Sequence, residues 1–238
     1  MYGRCSSGNC SSTGNDMTQE ERVEKLRLRL REMRRYEEAL LDQGVSFVAG
    51  VDEVGRGPLA GPVTAAAVIL PADCRILGID DSKKLSPMRR ETLAKEIQAQ
   101  AICWALGWCD NHRIDEINIL QATREAMSAA LRGLAVRPQH VLIDALTLPE
   151  SDLPQTAIVR GDSLSVSIAA ASILAKVARD ARMQEYHRLY PGYALDRNKG
   201  YGTRAHFDGL DRRGPCPIHR KSFLQNYTER GNQWNTSR

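Results

Sequence analysis

The apolar positions of this chain change their spacing near residue 45. Before it, Val23, Leu26, Leu30, Met33 and Leu40 recur at helical intervals along an otherwise charged segment, the pattern of one apolar stripe. Thr18 and Glu21 form a capping-box signature and Gly44 a stop signal, so one helix is predicted over 18–44. Its seven basic residues from Arg22 to Arg35 are interleaved with acids, which reads as a solvated outer face on a helix that packs as an appendage. Beyond residue 45 the apolar positions come in short runs at 45–52, 63–70, 102–108, 140–145 and 156–160, each of strand length. Ser86-Pro87 opens a helix running to about Gln100. A second helix is predicted over 118–133 through Leu120, Met127, Leu131 and Leu134, and a long alanine-rich one over 165–189.

Strands alternating with helices place the chain in the α/β class, with a five-stranded mixed sheet flanked by helices and an N-terminal helical appendage. The Gly/Pro-rich turn Gly55–Pro62 lets the first three strands form an antiparallel meander. Only about eleven residues, with two prolines, separate the last two strands, while a parallel crossover needs roughly a dozen. Residues 1–17, rich in Ser, Gly and Asn, are expected to be a disordered tail. The main domain then covers 45–228 and a second tail 229–238.

Composition narrows this little. The chain has 238 residues, 42% hydrophobic and 26% charged, as in an ordinary soluble protein. A net charge of +4 conceals a local excess, with twelve Lys/Arg against six Asp/Glu from Arg179 to the C-terminus. That stretch is either a solvated basic tail or a phosphate-tracking surface. Six cysteines show no C-x-x-C pair, and Cys103 and Cys109 share one face of an apolar run, as buried thiols do. No apolar run approaches the roughly 20 residues that span a bilayer. A reduced cytoplasm is the expected setting, and no membrane partner is implied.

The chemistry lies where carboxylates interrupt apolar strands. Asp52 and Glu53 end the first run, Asp144 ends Val141-Leu142-Ile143, and Asp162 follows Ile158-Val159. A lone acid at a strand end ordinarily caps the next element or pairs with a base. Three strands each delivering an acid would build a cluster whose repulsion calls for cations, and hard oxygen ligands suit magnesium or manganese. Adjacent strand residues face opposite ways, so Asp52 is the firmer ligand. Glu53 joins it only if the strand ends or bulges there, or through its main-chain carbonyl.

Several ordered blocks resemble the prokaryotic ribonuclease HII family. They are Ala49-Gly50-Val51-Asp52-Glu53-Val54-Gly55-Arg56-Gly57-Pro58, Asp81-Ser82-Lys83-Lys84-Leu85, Leu142-Ile143-Asp144, Gly161-Asp162-Ser163, Ala169–Asp180, Asn198–Thr203 and His219-Arg220-Lys221-Ser222-Phe223. The resemblance covers about residues 20–225; Arg160 stands where the family often has Lys. It implies an RNase H-like fold and a two-metal active site in which Asp52, Glu53, Asp144 and Asp162 hold two Mg²⁺ or Mn²⁺ ions. It implies cleavage that leaves 5′-phosphate and 3′-hydroxyl ends. The Gly55-Arg56-Gly57 loop would read the ribose 2′-hydroxyl, and Tyr201 would sense the RNA-to-DNA step. Bland readings stand beside these, a tight turn for the glycines and a core-edge tyrosine for Tyr201.

Ser82 and Lys83, ahead of a helix, could hold backbone phosphates. For Arg179 and Asp180 structural pairing is the better reading. The substrates implied are RNA–DNA hybrids and DNA duplexes containing ribonucleotides, and the enzyme is expected to act as a monomer. Ribonuclease HIII, a rival on the same fold, typically carries an added N-terminal substrate-binding domain that the first 45 residues do not offer. A non-catalytic hybrid-binding module, a rival of another class, has no reason to keep four repelling acids.

Overall fold

Thr18 accepts from the Glu21 amide while the Glu21 carboxylate accepts from the Thr18 amide, so α1 (Gln19–Met33) starts where the capping box places it. The computed structural model of the chain describes residues 17–225 and 227. The tails expected at 1–17 and 229–238 lie outside them, Met17 apart. The single helix predicted over 18–44 is two, because the chain turns at Arg34 before α2 (Arg35–Leu41). No Gly or Pro marks that break, and the Arg34 guanidinium donates to the Ala72 carbonyl instead. Leu30 and Met33 are buried in the main core. Burial of such side chains contributes about 1.5–3 kcal/mol each, which docks the appendage firmly.

Five strands follow the apolar runs to within a few residues: β1 (Val48–Val54), β2 (Val63–Ile69), β3 (Cys103–Cys109), β4 (His140–Asp144) and β5 (Gln155–Ile158). They form one mixed sheet in the order β3-β2-β1-β4-β5. The first three make the expected antiparallel meander, and β4 and β5 add in parallel beside β1. The short β4–β5 connection holds no helix. It begins with Ala145 in the left-handed region at φ 50°, and it suffices for a parallel pair of only four paired residues.

On one face of the sheet lie α3 (Pro87–Gln100) and α5 (Val166–Leu189), on the other α4 (Asn111–Arg132). α3 is capped by the Ser86 hydroxyl with Pro87 in its first turn. α4 begins earlier than its apolar spacing suggests, because Asp110 caps a polar first turn. It breaks at Asn118 (φ 68°), whose side chain caps the second stretch. Alanines bring α5 close to β1, and at Gly50 a Cβ would lie 2.1 Å from the Ser167 carbonyl carbon. Two short helices that the apolar spacing does not predict, α6 (Leu195–Asn198) and α7 (Arg204–Arg213), complete a C-terminal lobe around Met183, Tyr193 and Leu210. Among the described residues no helix is long and apolar enough to cross a membrane.

Candidate active site

The parallel register sets the acids. The last β1–β4 pair is Val51 with Ile143, so Asp52 and Asp144 each follow it by one residue on neighbouring strands. Asp162 arrives from the other side, on a 3₁₀ turn (Gly161–Ser163) between β5 and α5. The Gly161 amide donates to Asp144 Oδ1 at 2.7 Å and ties that turn to β4. β1 runs on to Val54 without ending at Asp52, and Glu53, one residue on, pairs with Arg56 while its charge raises the Asp52 pKa. Burial first, then the charges of Glu53 and Asp144, push the Asp52 carboxyl well above the usual range. Burial likewise raises Glu53, with Arg56 opposing and Asp144 adding, and it raises Asp144, where the Gly161 amide opposes and Asp162 adds.

These carboxylates feel one another without forming a closed shell. Among the described residues, no three Asp, Glu, His or Cys side chains converge as a ready metal cage. A divalent cation nevertheless suits the donors. All are hard oxygens, and Glu53 Oε2 is buried with no hydrogen-bond partner, a costly state that a cation would relieve. The Lys83 ammonium, 3.5 Å from Asp162 Oδ2 and itself exposed, is the cation already at hand. Burial disfavours its charge, but Asp162, Asp81 and Asp52 outweigh that and raise its pKa.

Of the residues expected to meet substrate, Ser82 is placed differently. It is buried, and its hydroxyl lies 2.9 Å from that of Ser172, a residue that lowers the Asp52 pKa against the burial that raises it. Ser82 thus supports the acids from below and presents no hydroxyl to a phosphate, because its loop folds inward against α5. Lys83, one residue on, faces outward.

Gly55, Arg56 and Gly57 lie together on the loop after β1. Gly55 has φ +92°, and a Cβ there would strike the Arg179 guanidinium at 2.2 Å, so the position needs glycine. Gly57 neighbours Tyr201, whose Cε1 would lie 3.5 Å from an added Cβ. The Tyr201 residue is 46% exposed. The Arg56 guanidinium stands 3.4 Å from Glu53.

Two buried arginines that the spacing of acids does not reveal hold this rim. Arg220 donates to the carbonyls of Gly61, Arg56 and Gly55 at 3.0, 2.8 and 2.6 Å. Arg179 donates to those of Pro62, Lys199 and Ala60 at 2.9, 3.0 and 3.2 Å. The expectation of a structural role for Arg179 fits these bonds, and Asp180 pairs with Lys176 at 2.8 Å. His219 faces His206 with Nε2 atoms 3.0 Å apart, and His206 Nδ1 meets the Tyr201 carbonyl at 2.9 Å. Consecutive residues His219 and Arg220 therefore secure both the glycine loop and the tyrosine loop. The sequence signal was their presence in one block beside Ser222-Phe223, with no hint of what they touch.

A model of the ribonuclease HII family matches residues 49–226. The chain is 54% identical over 193 residues to a ribonuclease HII of Enterococcus faecalis, covering 81% of this chain and 75% of that one. It is 57% identical over 188 residues to a ribonuclease HII of Moorella thermoacetica, covering 79% and 91%. Among solved structures, the ribonuclease H2 of Pyrococcus horikoshii superposes with a TM-score of 0.65 at 26% identity, over 77% of this chain and 98% of the other.

Proposed function

The chain belongs to the ribonuclease HII family, and from that premise we propose that it cuts the RNA strand of RNA–DNA hybrids and incises DNA duplexes 5′ to a single embedded ribonucleotide. The products would carry 5′-phosphate and 3′-hydroxyl ends. What supports this reading is that Asp52 and Asp144 follow the same strand pair, that Glu53 and Asp144 raise the Asp52 pKa and Asp162 that of Asp144, and that one Glu53 oxygen is buried without a hydrogen-bond partner. We assign these four as ligands of two divalent ions, Mg²⁺ or Mn²⁺. When bound, such ions lower the pKa of an attacking water and neutralise charge developing on the leaving oxygen.

The chain's own groups do the rest. Lys83, exposed and beside Asp162, offers its ammonium to a backbone phosphate next to the cut. The main chain of Gly55-Arg56-Gly57, fixed by Arg220, reads one ribose 2′-hydroxyl. Tyr201, exposed beside Gly57, packs on the sugar that follows, where a second 2′-hydroxyl would crowd its ring. Ser82 holds the Ser172 hydroxyl, which favours the charged form of Asp52.

Cleavage of an end-labelled duplex bearing one ribonucleotide, with products mapped to the nucleotide, tests the reading. The expected product keeps the ribonucleotide at the 5′ end of the downstream fragment. Tyr201→Ala should weaken this cut more than cutting within a long hybrid. Equal losses on both substrates would make Tyr201 structural, and no cleavage at the lone ribonucleotide would reject the junction reading.

A further inference from the structure

The family model begins at residue 49, which leaves α1 and α2 outside it and without an assigned role. Two of their side chains reach the active site's supporting loops. Arg29 on α1 donates through Nε and Nη2 to the two oxygens of Asp80 at 3.1 and 3.2 Å. The same Nη2 donates to the Ser163 carbonyl at 2.8 Å. Glu37 on α2 accepts from the Ser165 hydroxyl at 2.5 Å and from the Ser167 amide at 3.0 Å.

Those partners are not scattered. Ser163 directly follows Asp162, and Ser165 is the N-cap of α5. Asp80 also accepts from the Asp81 amide and from Lys84, and so orders the loop that carries Lys83. One guanidinium thus joins the two segments that face each other across the Lys83–Asp162 contact. The turn holding Asp162 begins after Arg160, whose φ of 59° is left-handed for a residue with a side chain. Such a conformation persists only when its surroundings determine it. Arg29 grips the turn at Ser163 and Glu37 holds the α5 start that follows it, as Asp144 grips the turn from within. Leu30 and Met33 anchor the grip in the core.

We infer that Arg29 and Glu37 are positioning residues, and that the two N-terminal helices are a brace setting the Asp162 turn against the Lys83 loop for metal binding and cleavage. The inference rests on the assignment of Asp162 as a metal ligand. Supporting groups of this kind typically change metal affinity or activity about 10–100-fold when removed.

The test uses the full chain with Arg29→Ala, Arg29→Lys, Glu37→Ala and Glu37→Gln. It reads Mn²⁺ binding by calorimetry, kcat and KM on a labelled hybrid, and the melting temperature. Arg29→Ala should weaken Mn²⁺ binding and lower kcat by about tenfold while KM for the hybrid stays put. Arg29→Lys keeps the charge beside Asp80 but cannot hold that fork and the Ser163 carbonyl together, so its kcat falls as well. Glu37→Gln keeps an acceptor and should retain more activity than Glu37→Ala. Wild-type kcat in Arg29→Ala, or in Arg29→Lys should the alanine variant not fold, overturns the brace. A raised KM with unchanged kcat also overturns it, placing Arg29 on the nucleic acid. Asp162→Asn is measured alongside. Should it bind Mn²⁺ as the wild type does, the metal assignment of Asp162 fails and takes the brace's metal role with it; should it lose Mn²⁺ while Arg29→Ala binds and cuts as the wild type does, the brace alone fails.

Discussion

Two groups of buried charge sit within one rim of this molecule and are treated in opposite ways. Arg179 and Arg220 are wholly buried, and each spreads its guanidinium over three main-chain carbonyls. Burial lowers their pKa values, to about 10 for Arg179 and about 9 for Arg220, where the neighbouring Arg179 charge adds. Both remain cations at neutral pH. The acids Asp52, Glu53 and Asp144 have fewer such partners, the Glu53 amide, Arg56 and the Gly161 amide respectively, and burial with neighbouring negative charge raises their pKa values. Glu53 Oε2 is buried with no hydrogen-bond partner.

The sharpest way to break this contrast is to neutralise one member of each group. Asp144→Asn should lower hybrid cleavage by about a thousandfold or more, the loss of several kcal/mol of transition-state stabilisation. Single-turnover assays in magnesium measure it, and near wild-type cleavage would remove Asp144 from the chemistry. Arg220→Ala should instead act on folding. It leaves three carbonyls without their donor, those of Gly55 and Gly61 buried, and destabilisation of about 3 kcal/mol is expected in urea titration. Arg220→Lys recovers part of that, since an ammonium cannot reproduce the fork. A stable Arg220→Ala would mean that water replaces the guanidinium freely.

A smaller effect concerns the histidines beneath Tyr201. Burial, then the charge of His206, lowers His219 to about 4, and burial lowers His206. Unfolded chains take up these protons near pH 6.5, while the folded chain refuses them until lower pH. The unfolded state therefore binds more protons in that window, and stability falls as pH drops from about 6.5 towards 4. Above that window the contribution is complete. Urea midpoints measured across these pH values, flatter in His219→Gln than in the wild type, check it. Identical slopes would show that Tyr193 and Cys216, the pair's other neighbours, hold the loop without regard to its protonation.

The strands and the acids were legible in the sequence because both depend on local order. Apolar runs of strand length mark β1 to β5, and each acid stands at the end of one or just past it. What could not be read depends on contacts between distant segments. The break at Arg34 has no Gly or Pro to announce it, and it lies where Leu30 and Met33 enter the core and Arg34 meets the distant Ala72 carbonyl. Ser82 looked like a phosphate ligand because its neighbours are lysines, yet its hydroxyl meets α5, ninety residues away. The basic residues of α1 read as a solvated face, but Arg29 turns inward to Asp80 and Ser163. The α4 start was hidden by a polar first turn whose capping aspartate, Asp110, was the available signal.

The contrast between satisfied and unsatisfied charge meets its most direct test in melting curves of the wild type and Asp52→Asn, each with chelator and with Mn²⁺. If the acids repel and await cations, Asp52→Asn in chelator melts no lower than the wild type, because one of the repelling charges is gone. Mn²⁺ should raise the wild-type melting temperature through its binding to the folded state, and most of that gain should vanish in Asp52→Asn. A variant that melts lower in chelator and keeps the full Mn²⁺ gain would show that Asp52 holds the fold together and binds no metal.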